Sequence, residues 1–357
     1  MNSDIVIVGG GIIGLYSAML LAEHNLTITL IDQGPIGKES SWAAGGILSP
    51  LLPWNYDDKT LYLTEDSSSK YAFLAETLIE TTGVDIEYWS CGLVSICHEK
   101  HSTLKNWCAS KGLRFSSKCP SDIDMFKSLQ KKLPIYLPDV AQVRSPKLIS
   151  ALYKHLINQN VNLLPYTKLI DLKIENKGIV GAQTSAGLIK TNRLVWATGA
   201  WAGINSPSLN NLPPISPVRG QIIVFDGKSI NLRTILYKQG YYLIPRKDGL
   251  ILSGSTLENV GFDKSTTPAG YDELMQKSIS LIPELKSCKV VHHWSGLRPY
   301  SKNQHPFIEQ HPRIQGLYLN CGHYRYGVAM APRSAEIISE TIINPNSADL
   351  IKYYAMD

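Results

Sequence analysis

Short, wholly apolar runs alternate along this chain with longer stretches at helical spacing, and polar segments bearing glycine and proline divide them. Ile5–Val8 is β-branched throughout, the texture of a strand buried on both faces of a parallel sheet. Residues 15–23 are helix-forming, and 26–31 return as a second apolar strand. Tyr71, Leu74, Ala75, Leu78 and Ile79 recur near the helical period and predict one helix over 61–82, stopped by Gly83. From 84 to 138 the texture changes to short strands such as 92–97, a helix near 102–111, and polar loops with proline. Residues 143–157 predict a helix capped by Ser145, with Pro146 at its first position. Lys168 to Glu175 and Gly178–Thr184, joined at Asn176 and Lys177, suggest a hairpin, and 194–199 another buried strand. Pro213 and Pro217 bound an expected crossover. Strands are expected at 221–225, 240–245, 250–253 and 290–294, with a helix at 271–282. A last parallel-type strand at 316–320, a loop at 322–327 and a helix at 331–343, with Pro332 in its first turn, complete the pattern. No internal repeat or low-complexity segment interrupts it.

Two textures therefore take turns, one parallel and apolar, the other antiparallel. This predicts an α/β chain (α+β overall) with a Rossmann-like nucleotide domain over 1–83, 142–213 and 300–357. An interleaved antiparallel-sheet substrate domain would take 84–141 and 214–299. A length of 357 residues suits two domains.

Chemistry first appears between the opening strand and helix, where Gly9, Gly11 and Gly14 stand in GxGxxG spacing. Such glycines allow a tight turn, close approach of a pyrophosphate and close packing of helix on strand. The neighbouring Ile12 and Ile13 open a helix whose N-terminus favours phosphate. Asp32, at the end of the second strand and followed by Gln33, is placed to accept hydrogen bonds from a ribose. The small residues Ser40, Ser41, Ala43, Ala44, Gly45 and Gly46, with Ile47, would let a flat or charged ligand lie against their backbone. Thr198 and Gly199 bring a second small-residue turn toward the same ligand. A net charge of +5, with scattered Lys and Arg, gives no nucleic-acid surface. Cys91, Cys97, Cys108, Cys119, Cys288 and Cys321 form no CxxC pair and no HExxH occurs, so reduced thiols and no metal site are expected. Residues 5–22 lack a basic leader and carry four glycines, which points away from a signal peptide or transmembrane segment. A cytoplasmic protein is expected, with peripheral membrane contact and a homo-oligomer left open.

One GxGxxG and no second argues for a single tightly held FAD reduced directly by substrate, with oxygen or another acceptor reoxidising it. The glycine fingerprint, SSWAAGGIL, LVWATGAWAG, PVRGQ, YYLIPRKDGLILSGST, GLRPYS and GHYRYGVAMAP occur in the order seen in the D-amino-acid oxidase family of FAD-dependent oxidoreductases. Within it the chain looks most similar to the glycine oxidases, associated with making the thiazole part of thiamine. The resemblance implies that Arg298 holds a substrate carboxylate through its planar fork and that Tyr242 donates to the same group. It places Arg325 near flavin and substrate, and Gly322, His323, Tyr324, Tyr326, Gly327 and Val328 beside the cofactor. The N-terminus of the last helix, near residues 327–329, would stabilise the reduced flavin anion. The implied reaction passes a hydride from the α carbon of glycine, or of another small amino acid, to flavin N5. Water then hydrolyses the imino acid to an oxo acid, oxygen becomes peroxide, and no side chain acts as general base.

Tyr326 stands where glycine oxidases commonly carry a small polar residue such as asparagine, which would narrow or reshape the pocket. Sarcosine oxidases attach FAD to a cysteine, but 292–312 holds none, so non-covalent FAD is expected. Two other readings stand beside the oxidase. One is a D-amino-acid, sarcosine or proline-type dehydrogenase passing electrons to a quinone or other carrier. The other is a flavin-binding scaffold without catalysis.

Overall fold

A computed structural model describes residues 1–50, 52–96, 101–118, 134–204, 206–209, 211–303, 305–345 and 354–355. Cys97 and Cys119 lie outside the described residues. Among those described, six strands form one sheet in the order Phe307–Gln310, Leu317–Cys321, Leu194–Trp196, Ile5–Val8, Ile28–Ile31, Asn162–Leu164. All neighbours in it are parallel except Phe307–Gln310, an antiparallel edge strand that the sequence reading did not expect. Every residue of Ile5–Val8 and Ile28–Ile31 is buried, because both faces of the sheet are covered. Ile5 and Ile7 pack toward the helices Ile12–Ala22, Ser145–Asn158 and Gly327–Ile343. Val6 and Val8, on the alternate face, pack against Leu172, Ile179, Ala182 and Ile189 of a three-stranded antiparallel sheet.

Seven of the described strands build the other large sheet, in the order Val290–Ser301, Ile215–Asp226, Leu250–Gly254, Tyr241–Pro245, Ile235–Lys238, Leu93–Ser95, Ile135–Leu137. It is antiparallel apart from the pairing of Ile235–Lys238 with Leu93–Ser95. Leu274 and Leu281 of the helix Pro268–Leu281 cover part of one face.

The expected crossover at Pro217 and the short strand at 290–294 are corrected to two strands of 12 residues each. Pro217 and Pro299 face each other in register near one end. Neither can donate, and a pair of the non-hydrogen-bonded kind asks for no donor from either. Val290–Ser301 is the edge of the sheet, and the strand Leu250–Gly254 reaches only as far as Ile222 on the other side, so these prolines cost no ladder bond. The single helix expected over 61–82 is two, Asp58–Thr64 and Ser67–Thr82. Arg333 binds the Asp66 carboxylate at the junction, a tertiary contact that helical periodicity does not register. Ser145 is the first residue of its helix, not the cap; Arg144 occupies the cap, and the buried Ser145 hydroxyl has no partner among the described residues.

The last helix begins at Gly327 and not at 331, so Pro332 lies inside it. A proline at that position leaves the carbonyl of Val328, four residues earlier, without its helical donor. The hydroxyl of the fully buried Tyr71 supplies one, at 2.8 Å.

Candidate active site

A cavity of about 670 Å³ runs from the carboxyl ends of the parallel strands to the inner face of the antiparallel sheet. Gly9, Asp32, Thr198 and Gly322 each follow the end of such a strand and line it, which is where an open parallel sheet takes its ligands. Gly9 has φ +110°, and a Cβ there would sit 2.3 Å from the Ala197 carbonyl oxygen, so only glycine serves this turn. Gly14 does not line the cavity: it packs on the Gly9 carbonyl and lets the helix lie close, so its contribution is to the turn rather than to contact with a ligand. Gly11, Ile12 and Ile13 do line the cavity, at a helix start that no side chain at its cap position closes.

Asp32 accepts the Gly10 and Gly34 N–H groups, both at 2.8 Å, one on each oxygen, which leaves further lone pairs for a hydroxyl. Burial raises its pKa, and those two bonds oppose the rise. Gln33 is exposed at the same end. The small-residue segment forms a helical turn, Ser40–Ala43, whose serines tie it to both halves of the molecule. The Ser41 hydroxyl accepts the Ile12 N–H at 2.8 Å, and the Ser40 hydroxyl donates to the Leu297 carbonyl. Ala43, Ala44, Gly45, Gly46 and Ile47 continue the wall. Arg246, unremarked in the sequence reading, fixes this stretch by donating to Gly45 O at 2.8 Å, Gln142 Oε1 at 2.6 Å and Val143 O at 3.0 Å. Gly199 lies beside the Thr198 hydroxyl, which is buried without a partner among the described residues.

Toward the antiparallel sheet the cavity collects Tyr242, Arg298, Arg325 and the loop Gly322, His323, Tyr324, Tyr326, leading into Gly327 and Val328. Arg298 donates to the Ser255 hydroxyl at 2.6 Å and to the Thr256 carbonyl at 3.3 Å. Burial lowers its pKa, with the Tyr242 hydroxyl beside it as a hydrogen-bond partner that opposes this. Arg325 lies over the Tyr324 ring, 5.2 Å from its centroid. Among the described residues no carboxylate pairs with either arginine. Tyr326 meets Tyr56 edge to face, centroids 5.1 Å apart, with the two hydroxyls bonded. His323 is buried; its Nε2 bonds the Ser334 hydroxyl at 2.8 Å, which donates to Asn320 Oδ1 at 2.5 Å. Ser255 and Gly220 also line the cavity and escaped the sequence reading. Strands were expected next to them, at 221–225 and 250–253, but contact with Arg298 depends on approach across some forty or more positions, which periodicity does not carry.

A Thr198 hydroxyl with no partner among the described residues, a helix start over a glycine turn whose cap residue has no side chain to close it, and an aspartate with lone pairs to spare fit a dinucleotide at one end. Two guanidinium groups that pair with no carboxylate among the described residues fit an anionic substrate at the other. This combination fits a nucleotide-dependent oxidoreductase whose cavity ends in a cationic wall on the antiparallel sheet. The chain belongs to the DAO family, FAD dependent oxidoreductase, whose model matches residues 4–341. It is 37% identical over 346 residues to a glycine oxidase of Pseudomonas putida, covering 96% of this chain and 95% of that one. A glycine oxidase of Pseudomonas aeruginosa is 36% identical over 357 residues, 97% and 98% of the two chains. In fold it is similar to the crystal structure of glycine oxidase from Geobacillus kaustophilus, with a TM-score of 0.88 over 99% of this chain and 98% of that one, at 24% identity. Among the described residues no helix is long and apolar enough to cross a membrane.

Proposed function

We propose that this protein oxidises glycine, or another amino acid of similar size, to the imino acid, using non-covalent FAD and passing the electrons to oxygen. The observation that carries the reading is the pair of arginines, Arg298 and Arg325, which share a cavity with the glycine turn and pair with no carboxylate among the described residues. When bound, FAD supplies the hydride acceptor and its reoxidation by oxygen. Gly9, Gly11, Ile12, Ile13, Asp32 and Gln33 would hold its adenosine diphosphate portion, with the 40–47 wall, Thr198, Gly199 and the 322–328 loop along the remainder. Arg298 grips the substrate carboxylate through parallel N–H donors, and Tyr242 adds its hydroxyl. Arg325 contributes positive potential at a half-buried position, where it is weakly screened. Among the described residues beside Tyr242, Arg298 and Arg325, no carboxylate lines the cavity and the one imidazole, His323, is bonded to Ser334, so catalysis rests on orientation and charge, with the amine bound neutral. Cys321 lines the cavity, but burial pushes its thiol far up, and a neutral thiol is a poor nucleophile toward the cofactor. We further infer that the segments 1–83, 142–213 and 300–357 serve the nucleotide and that 84–141 and 214–299 serve the substrate. Supply of the imine to thiazole assembly is the physiological use that the family resemblance favours.

Anaerobic titration with glycine, sarcosine, D-alanine and D-proline tests this: glycine should bleach the visible flavin band, and one peroxide should form per turnover in air. Bleaching by none of the four would remove the reading, and turnover without peroxide would reassign the acceptor. Arg298→Ala should raise KM for glycine about tenfold or more with FAD retained, and acid precipitation should release the yellow colour.

A further inference from the structure

The segment 217–221, Pro-Val-Arg-Gly-Gln, has no part in the reading above, yet it lies directly behind Arg298. In the strand Ile215–Asp226 successive residues face opposite sides, so Gly220 is turned one way and Arg219 and Gln221 the other. On the Gly220 side a Cβ would sit 2.0 Å from Arg298 Nη2, so the strand leaves open the space that the guanidinium occupies. On the opposite side Arg219 is 3% exposed and donates to Glu258 Oε2 at 2.6 Å and to Asp263 Oδ2 at 2.6 Å. Gln221 Nε2 donates to Glu258 Oε1 at 2.8 Å. The same carboxylate oxygen accepts the Thr256 hydroxyl at 2.5 Å, and that hydroxyl accepts the Gln221 N–H at 2.8 Å. Ser255 and Thr256 are the residues that receive the Arg298 guanidinium.

An unbroken set of bonds therefore runs from Arg219 through Glu258 and Thr256 to Arg298. Arg219, Glu258 and Thr256 do not line the cavity, whereas Ser255 and Arg298 do. We propose that Arg219 and Glu258 are positioning residues: they fix the 255–256 backbone that aims the Arg298 fork, and so set the affinity for the substrate carboxylate without touching it. This rests on the reading of Arg298 as the carboxylate ligand. Glu258 is linked to Arg298 through Thr256, whose hydroxyl it accepts and whose carbonyl receives the guanidinium, so its influence is exerted through geometry. A bidentate contact tolerates little misalignment, which is why a displaced partner weakens binding more than it slows a bound substrate.

The test uses FAD-loaded Glu258→Gln, Arg219→Met and Arg219→Lys proteins, with acetate as a carboxylate that cannot be oxidised. Its Kd is read from the shift it causes in the visible flavin spectrum. Glu258→Gln and Arg219→Met should each weaken acetate and raise KM for glycine by about fivefold or more, leaving kcat within about twofold. Arg219→Lys, which keeps one contact to Glu258, should fall between them and the parent. Acetate affinity within about twofold of the parent in a variant that holds FAD would overturn the proposal, as would a fall in kcat at unchanged KM. Should Arg219→Met fail to hold FAD, Thr256→Val removes only the hydroxyl link, and its acetate affinity decides in the same way. The reading of Arg298 fails separately, if Arg298→Ala binds acetate as the parent does.

Discussion

At His323 burial decides the protonation state. The imidazole lies 3% exposed in the cavity wall, and the loss of water around it pushes its pKa down to about 3. The neighbouring bonds fix its tautomer as well: Ser334 spends its one O–H on Asn320, so His323 must be the donor at Nε2. A neutral histidine that charges only after unfolding makes stability pH-dependent in a definite sense. Above pH 6.5 both states are neutral there and nothing is lost; below it the unfolded chain takes up a proton that the folded one refuses, so stability falls as pH drops from about 6.5 toward 3. The loss is about 1.4 kcal/mol per pH unit in that window. Urea midpoints of the parent and of His323→Asn, each at pH 7.5 and 5.5, check it: the substitution should cost stability at pH 7.5, and the cost should shrink at pH 5.5. A difference between the two proteins that does not change with pH would refute it.

The last helix shows how one element's defect is met by another. Pro332 stands in its interior and frees the Val328 carbonyl, which Tyr71 of the helix Ser67–Thr82 satisfies from across the core. Tyr71→Phe keeps the ring and its packing and removes only that donor, leaving a buried carbonyl unsatisfied at a cost of about 1–3 kcal/mol. Because Val328 lines the cavity, the same change should also speed release of FAD, measured by fluorescence recovery on dilution. An unchanged melting temperature and release rate would show that another donor replaces Tyr71. The sequence predicted this helix but started it at residue 331, since a proline suggests a first turn and nothing local reveals a tyrosine some two hundred and fifty positions away. Pro217 misled in the same direction, reading as the bound of a crossover until register places it within a strand, opposite Pro299. The strand, turn and strand from Ile5 to Asp32 were legible because much of what shapes them is close in sequence: Gly14 on the Gly9 carbonyl, Ile5–Val8 beside Ile28–Ile31, and the Asp32 carboxylate on Gly10. Arg298 and Tyr242 were named from resemblance, while Arg246, Ser255 and Gly220, which set their surroundings, act through contacts between segments that no short-range pattern encodes.

Taken as a whole, the molecule places the cavity of the candidate site between its two large sheets rather than within either. The parallel sheet supplies one wall through strand ends, the antiparallel sheet the other through Tyr242 and Arg298, and the segment 40–47 is bonded to both, by Ser41 to Ile12 and by Ser40 to Leu297. A ligand filling this space touches the folded arrangement of both sheets at once, and the unfolded chain offers no equivalent. FAD should therefore stabilise the whole chain by mass action, about 2.7 kcal/mol when free FAD stands at a hundred times its Kd. For a chain of 357 residues that corresponds to a rise in melting temperature of roughly 3–5 °C. The dependence matters more than the size: melting temperature should climb with the logarithm of added FAD, and unfolding followed by flavin fluorescence should coincide with unfolding followed by tryptophan fluorescence. Two separated transitions, one of them insensitive to FAD, would mean that one sheet unfolds without disturbing the other, and that the cavity is the property of a single domain rather than of their contact.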